Sequence, residues 1–209
     1  MRILGLTGSV GMGKSTAAAM LRSMGVPVYD ADAAVHRMMR RGGIAVAKVA
    51  AAFPGVERDG AIDRAALGKR VFGDDPAMKR LETIIHPLVR EDEKIFLGVH
   101  RRRKTRLVVM DVPLLFESGR DERYDATMVV TAPGFLQRDR VMARPGMTPA
   151  RFAAILSRQM PDAEKRRRAD FIVPSGLGRA VTWRSLRAVL RKLAGSNPDR
   201  VESPSCANW

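Results

Sequence analysis

Short apolar runs alternate with helical patterns along the chain. The first run covers residues 2–7, and similar runs lie at 26–29, 106–111, 126–131 and 169–173. Runs that are apolar at nearly every position are typical of parallel strands covered on both faces. Because helical segments separate these runs, the pattern predicts an α/β fold around a parallel sheet.

Helical patterns fill much of the remaining chain. A first helix is predicted from about residue 14 to 23, a long one over 75–102 and a last one over about 179–193. Pro87 lies inside the long helix, and a proline there costs about 3 kcal/mol or requires a local break, so we expect a kink. The alanine-rich segment 42–73 is interrupted twice by turn residues, which indicates an insertion rather than core.

The loop between the first strand and the first helix, residues 8–15, has the sequence GSVGMGKS. It fits the pattern G-x-x-x-x-G-K-[ST] at every fixed position. Glycines let backbone N–H groups approach a triphosphate, the lysine reaches the β- and γ-phosphates, and the serine hydroxyl is a ligand for Mg²⁺. The flanking strand and helix supply the context that this motif requires. The loop residues predicted to bind ATP are Gly8, Ser9, Val10, Gly11, Met12, Gly13, Lys14, Ser15 and Thr16.

Two predicted strands end in acidic residues. Asp30-Ala31-Asp32 follows the second strand, and Asp111 ends the third. Functional groups gather at the carboxyl ends of parallel strands, so these carboxylates are expected beside the phosphate loop. The residues leave two roles open for Asp32: a catalytic carboxylate, or the N-cap of the helix through Met38. Asp111 is expected to reach Mg²⁺, either directly or through water.

Two further segments are candidates for substrate contact. His86 and Arg90 lie one turn apart on the long helix, where they either bind an anion or flank a merely structural kink. The apolar segment 112–117 follows Asp111 and either lines a substrate pocket or packs as ordinary core.

A helical segment after Pro133 carries three polar residues at spacings of three and four. Gln137, Arg140 and Arg144 are therefore predicted to share one helix face, although most arginine rows are only solvated. Pro145-Gly146 breaks this helix, and a new one begins near Thr148. Two short helices with a break between them are the form of a hinged lid that excludes water.

Composition narrows the class of protein. The chain has 209 residues, 45% of them hydrophobic, with no apolar run near the ~18 residues of a membrane span and no signal-peptide pattern at the start. Its only cysteine, Cys206, favours a reducing cytoplasm. The net charge of +15 suits polyanionic substrates and also raises the alternative of a nucleic-acid-binding nucleotide switch. With 5% aromatic residues and a lid, we expect neither a nucleic-acid nor a membrane partner.

Taken together, these residues resemble the dephospho-coenzyme A kinase family over about positions 3–190. The resemblance rests on the phosphate loop, Asp30-Ala31-Asp32, His86-Pro87 with Arg90, Asp111 through Glu117, Gln137 with Arg140 and Arg144, Gln159, and Lys165 with Ala169-Asp170. It implies a P-loop NTPase-type three-layer α/β fold with a five-stranded parallel sheet, a helical substrate-binding insertion and a helical lid. It also implies ATP-dependent, Mg²⁺-assisted phosphorylation of the ribose 3′-hydroxyl of dephospho-CoA. Another small-molecule kinase of this fold, such as a nucleoside monophosphate kinase, is the alternative.

The resemblance also assigns roles to residues. It makes Asp32 the catalytic aspartate, assisted by Lys14 and Arg140, and adds Arg144 to the ATP site. The expected substrate contacts are Asp32, His86, Arg90, Leu115, Phe116, Glu117 and Arg140, and the expected Mg²⁺ ligands are Ser15 and Asp111.

One kinase domain is expected over residues 1–195. Its predicted parts are a core (1–30, 105–132 and 168–195), an insertion at about 31–104 and a lid at about 133–165. The polar residues 196–209 have the composition of a disordered tail. The expected partners are ATP and dephospho-CoA, and the protein is expected to be a cytoplasmic monomer or weak oligomer.

Overall fold

A computed structural model describes residues 1–119 and 121–195. The predicted tail at 196–209, with Cys206, lies outside the described residues. The strands are β1 (Arg2–Thr7), β2 (Val28–Asp30), β3 (Glu57–Arg58), β4 (Ala61–Ile62), β5 (Leu107–Asp111), β6 (Ala126–Thr131) and β7 (Phe171–Pro174). The helices are α1 (Lys14–Ser23), α2 (Ala31–Met38), α3 (Val46–Ala52), α4 (Arg64–Val71), α5 (Asp75–Arg102), α6 (Gly134–Met142), α7 (Pro149–Leu156), α8 (Asp162–Arg168) and α9 (Arg179–Gly195). In the described residues, no helix combines the length and the apolar character needed to cross a membrane.

The main sheet has five strands in the order β2-β5-β1-β6-β7. Its β1·β6, β2·β5 and β6·β7 pairs are parallel, with Leu4 opposite Ala126 and Val28 opposite Val109. The central strands are buried over four or five consecutive residues and do not alternate between core and solvent, as expected for strands covered on both faces. The predicted α/β fold with a five-stranded parallel sheet is therefore confirmed.

Two contact-dense units divide the chain. The first comprises residues 1–3 and 27–112, and the second comprises 4–26 and the described part of 113–209. In the first unit, the long helix α5 contacts α2, α3 and α4. In the second unit, α1 packs on α9, α9 on β7 and α8 on β6.

The first unit departs from the sequence prediction in one place. Residues 57–62 form a small antiparallel hairpin, β3-β4, whose turn residues Asp59 and Gly60 both have positive φ angles, 52° and 74°. Helix α5 is continuous from Asp75 to Arg102 and includes Pro87, and a kink at Pro87 stays a prediction.

Candidate active site

The glycine loop lies between the end of β1 at Thr7 and the start of α1 at Lys14. Gly11 and Gly13 have φ angles of 77° and 87°, in the region that disfavours other residues. A Cβ at Gly8 would lie 2.8 Å from the backbone oxygen of Val130, and one at Gly13 would lie 2.8 Å from Ser175 Oγ. Gly11 and Gly13 are therefore required by the turn, and Gly8 and Gly13 by the packing around the loop.

Helix α1 begins without a side-chain cap. Its N-cap residue is Gly13, no side chain accepts a hydrogen bond there, and its first turn contains no acidic residue. The N–H groups of the first turn and the positive end of the helix dipole therefore suit an anion. Ser15 and Thr16 in this turn are exposed. With the glycine loop before it, this helix start has the form of a phosphate-binding site.

The phosphate loop is held from behind by two glutamines. The backbone N–H of Val10 donates to Gln159 Oε1 over 3.0 Å, and Gln137 Nε2 donates to the backbone oxygen of Val10 over 2.8 Å. Gln137 is only 8% exposed. The sequence predicts a place for Gln137 on a helix face but no contact of either glutamine with the phosphate loop. Both glutamines are among the residues that carry the family resemblance, and this was the available signal.

A second contact to the phosphate loop comes from the turn after β7. Ser175 Oγ donates to the backbone oxygen of Met12 over 2.6 Å. Arg140 donates through Nη1 to Ser175 Oγ over 3.0 Å and through Nη2 to Ser175 O over 2.8 Å. Its Nη1 also lies 3.4 Å from the backbone oxygen of Gly11. The guanidinium of Arg140 is thus placed against the loop, and the contact of Ser175 with the loop was not predicted from the sequence.

Arg144 does not share a helix face with Gln137 and Arg140. Helix α6 ends at Met142, and Arg144 follows it as an exposed residue, so that prediction was wrong. The residue before a proline is disfavoured in helical geometry, and Gly146 then takes a positive φ angle of 70°. Helix α7 begins after Thr148, which caps it as expected. A role for Arg144 stays a prediction.

In the first unit, two carboxylates end neighbouring strands. Asp30 and Asp111 are paired in register at the ends of β2 and β5. The side chain of Asp30 accepts a hydrogen bond of 2.9 Å from the N–H of Ala33 and caps α2. Asp32 lies in the first turn of α2 and is exposed. The capping alternative for Asp32 is therefore wrong, because the chain enters the helix one residue after Asp30.

His86 and Arg90 lie four residues apart on α5, and both are exposed. The neighbouring turn of α5 is anchored by Tyr29, whose hydroxyl donates to the backbone oxygen of Val89 over 3.3 Å. The Tyr29 ring also lies 5.3 Å from that of Phe96, centroid to centroid. Burial, with the nearby carboxylate of Asp92, raises the pKa of Tyr29 well above its usual value, so the hydroxyl stays protonated as a donor.

The segment after β5 is packed inside the second unit. Leu115 is 0% exposed, and its Cδ1 would lie 2.6 Å from a Cβ at Gly5. Phe116 is 3% exposed and lies under the guanidinium of Arg168, 5.1 Å from the ring centroid. Glu117 Oε1 lies 2.8 Å from Lys165 Nζ in an ion pair and accepts a hydrogen bond of 2.8 Å from the N–H of Met160. These contacts favour the core alternative for the two apolar side chains, and substrate contact by this segment stays a prediction.

Both residues expected to bind Mg²⁺ offer oxygen ligands. Ser15 offers a hydroxyl in the first turn of α1, and Asp111, 3% exposed, offers a carboxylate at the end of β5. No cluster of three or more His, Cys, Asp or Glu suited to a metal occurs in residues 1–119 and 121–195. This composition fits Mg²⁺, which takes one or two protein ligands and completes its shell with phosphates and water.

The sheet order, the glycine loop and the uncapped start of α1 define a P-loop kinase. A crystal structure of a Thermus thermophilus protein superposes with a TM-score of 0.79 at 38% identity, over 93% of this chain and 98% of that one. The dephospho-CoA kinase of Campylobacter jejuni superposes with a TM-score of 0.64 at 24% identity, covering 92% and 97% of the two chains. A shikimate kinase from Acinetobacter baumannii, at 14% identity and a TM-score of 0.51, shares the fold alone.

Sequence comparison identifies the family. The family model for dephospho-CoA kinase matches residues 2–177. The dephospho-CoA kinase of Paramagnetospirillum magneticum is 63% identical over 95% of this chain and 93% of its own, and that of Mesorhizobium japonicum is 54% identical over 93% and 98%. The chain belongs to the dephospho-CoA kinase family. It is therefore an ATP-dependent kinase of coenzyme A biosynthesis, and nothing found here favours the nucleoside monophosphate kinase alternative.

Proposed function

We propose that Asp32 is the catalytic carboxylate of this kinase. It orients the ribose 3′-hydroxyl of dephospho-CoA and accepts its proton while that oxygen attacks the γ-phosphorus of ATP and ADP leaves in line. The observation that carries this proposal is the capping of α2 by Asp30, which leaves the exposed carboxylate of Asp32 outside the cap. An exposed carboxylate in the first turn of α2, two residues after the end of β2, is available for such chemistry.

The ATP side of the reaction is assigned to the phosphate loop, residues 8–16. Its backbone N–H groups cradle the phosphates, and Lys14 stabilises negative charge on the transferred group. Arg140 adds positive charge from α6, supported by its hydrogen bonds to Ser175, and Arg144 adds it from the segment after α6. Negative charge shifts on the phosphoryl oxygens as the transition state forms, and these cations interact most strongly at that point. Their main effect is therefore on kcat.

Ser15 and Asp111 are the residues assigned to Mg²⁺, on the basis of their oxygen donors. The ion, when bound, supplies charge neutralisation across the phosphates. Ser15 is exposed in the first turn of α1, where its hydroxyl is accessible to such an ion.

The acceptor side is assigned to exposed groups of α5. His86 and Arg90 offer hydrogen-bond donors one turn apart, which suits the phosphate groups of dephospho-CoA. Leu115, Phe116 and Glu117 are assigned to the wall of the acceptor pocket through their backbone, since their side chains are engaged within the protein.

The wider assignments rest on composition and family membership. The protein acts as one kinase domain with a helical insertion at about 31–104 and a lid at about 133–165. It works in the cytoplasm, as its lone Cys206 favours, and as a monomer or weak oligomer with ATP and dephospho-CoA as its partners.

Asp32→Asn tests the proposal. Asparagine keeps the size and polarity but is a poor proton acceptor, so we expect kcat to fall by about a hundredfold or more. Binding of ATP and dephospho-CoA and the melting temperature should stay close to wild type. Asp30→Asn is the matched control, because asparagine caps a helix as well as aspartate does, and it should cost less turnover. Wild-type turnover by Asp32→Asn would remove Asp32 from the reaction.

A further inference from the structure

The chain contains two glutamines, Gln137 and Gln159, and both bind the backbone of Val10. Gln137 belongs to α6, and Gln159 follows the end of α7. One glutamine donates to the carbonyl of Val10, and the other accepts from its N–H. The backbone N–H and the backbone carbonyl of Val10 are thus both hydrogen-bonded to side chains that are distant in the sequence.

We propose that Gln137 and Gln159 are positioning residues that hold the phosphate loop in the conformation that binds ATP. The inference rests on the proposed role of the loop as the ATP site. Gly11 follows Val10 directly, and glycine has the widest backbone freedom of any residue. A loop of this composition loses much conformational entropy on ordering unless contacts already fix it. The two glutamine bonds supply such contacts before the nucleotide arrives.

A buried ion pair sets the position of Gln159. Lys165 is 0% exposed, and its ammonium lies 2.8 Å from Glu117 Oε1, the same oxygen that accepts from the N–H of Met160. Met160 directly follows Gln159, so Glu117 fixes the backbone from which the Gln159 side chain reaches Val10. A buried ion pair adds little net stability after desolvation, which makes orientation of Met160 the better account of this one.

The two glutamines have opposite hydrogen-bonding roles, and this asymmetry makes the inference testable. Glutamate at position 159 still accepts from the Val10 N–H, whereas methionine of similar length does not. Glutamate at position 137 cannot donate when ionised, so it breaks the bond to the Val10 carbonyl. Gln→Glu should therefore preserve the loop contact at one position and destroy it at the other.

The direct measurement is hydrogen exchange at the Val10 amide, followed by NMR in the nucleotide-free protein. In Gln159→Met we expect this amide to exchange at least about tenfold faster, while Gln159→Glu keeps its protection and the melting temperatures stay within a few degrees. Ser157→Ala is the control, because Ser157 lies two residues before Gln159 and donates an exposed hydrogen bond to the backbone oxygen of Ala154. Its loss should change neither Val10 exchange nor turnover. Unchanged Val10 exchange in Gln159→Met would overturn the inference.

The kinetic measurement separates ATP from the acceptor. Gln159→Met and Gln137→Glu should raise the KM for ATP about three- to tenfold, the range that loss of one hydrogen bond implies. The KM for dephospho-CoA and kcat should change less than about twofold. If KM for ATP stays at wild type while Lys14→Ala abolishes turnover, the positioning role fails and the loop assignment stands. If Lys14→Ala also retains turnover, the loop assignment itself fails.

Two double variants test the ion pair without leaving a buried charge alone. Glu117→Gln with Lys165→Met keeps an acceptor for the Met160 N–H, and Glu117→Leu with Lys165→Met removes it. Only the leucine variant should raise the KM for ATP and speed Val10 exchange. Equal behaviour of the two would show that Glu117 has no positioning role.

Discussion

The two contact-dense units differ in how they hold their functional groups. In the second unit, the phosphate loop is bound by Gln137, Gln159 and Ser175, which come from three later parts of the chain. In the first unit, Asp32, His86 and Arg90 are exposed. Groups fixed in advance lose little entropy when a ligand binds, whereas exposed arginine and histidine side chains lose rotamer freedom. We therefore expect substitutions in the second unit to change the KM for ATP and kcat, and substitutions in α5 to change the KM for dephospho-CoA.

The largest loss of activity among the variants that test this difference between the units is expected for Lys14→Ala. Lys14→Ala removes charge stabilisation on the transferred phosphoryl group, so kcat should fall by on the order of a hundredfold or more. The fold should be retained, since Lys14 is not a core residue. Steady-state ADP release with saturating ATP measures the effect, and Lys48→Ala, an exposed lysine on α3, is the control. Near-normal turnover by Lys14→Ala would refute the phosphate-loop assignment.

Arg140 should follow with a loss of about ten- to a hundredfold in kcat on substitution by alanine. Arg140→Lys should recover only part of this loss, because lysine keeps the charge but not the two parallel bonds to Ser175. Full kinetic analysis with varied ATP measures both parameters. A change confined to the KM for ATP would instead make Arg140 a ground-state binder.

A smaller effect is expected on the acceptor from the double variant His86→Ala and Arg90→Ala. Loss of two donors to an anionic substrate should raise the KM for dephospho-CoA about tenfold or more and leave the KM for ATP unchanged. Arg80→Ala, exposed on the same helix, is the control. A rise in the KM for ATP instead would break the proposed division between the units.

The smallest effect is expected for Asp63→Ala, which should change the melting temperature and leave the kinetic parameters as they are. Asp63 accepts hydrogen bonds of 2.9 and 3.1 Å from the N–H groups of Ala65 and Ala66, and these bonds lower the pKa of its carboxyl from its ordinary value. Stability from a depressed carboxyl pKa is complete above the unfolded value and is lost as pH falls through the folded value. Asp63→Ala should therefore lower the melting temperature at pH 7, by an amount that shrinks below about pH 4, without changing either KM. A difference that does not depend on pH would contradict this account.

Local signals in the sequence were sufficient for most elements. The glycine loop, the apolar run before it and the alanine-rich run after it fixed helix α1 at Lys14–Ser23. The fold class followed from the alternation of such segments and the family resemblance. The β3-β4 hairpin was missed because each strand has only two residues, although Asp59-Gly60 is a favoured two-residue hairpin turn.

Features that depend on where the chain turns, or on partners distant in sequence, were not predicted. The cap of α2 is Asp30 rather than Asp32, and a shift of two residues in the helix start decides which carboxylate is engaged. Arg144 lies beyond the end of α6, so the expected spacing did not apply. No local pattern relates Gln159 to Val10 across 149 positions, and only the folded chain reveals that contact.

The complete burial of Lys165 gives this protein an internal chemical reporter. Amine-directed acylating reagents modify lysines that solvent can reach, and Lys165 is shielded in the folded state. Mass spectrometry can measure the rate at which Lys165 is acylated, and this rate reports how often α8 separates from Glu117. Acylation of exposed lysines such as Lys48 serves as the control for reagent concentration. An acylated Lys165 carries no positive charge, so the ion pair with Glu117 cannot form again. Each opening that leads to acylation is therefore irreversible and is detected as a modified chain.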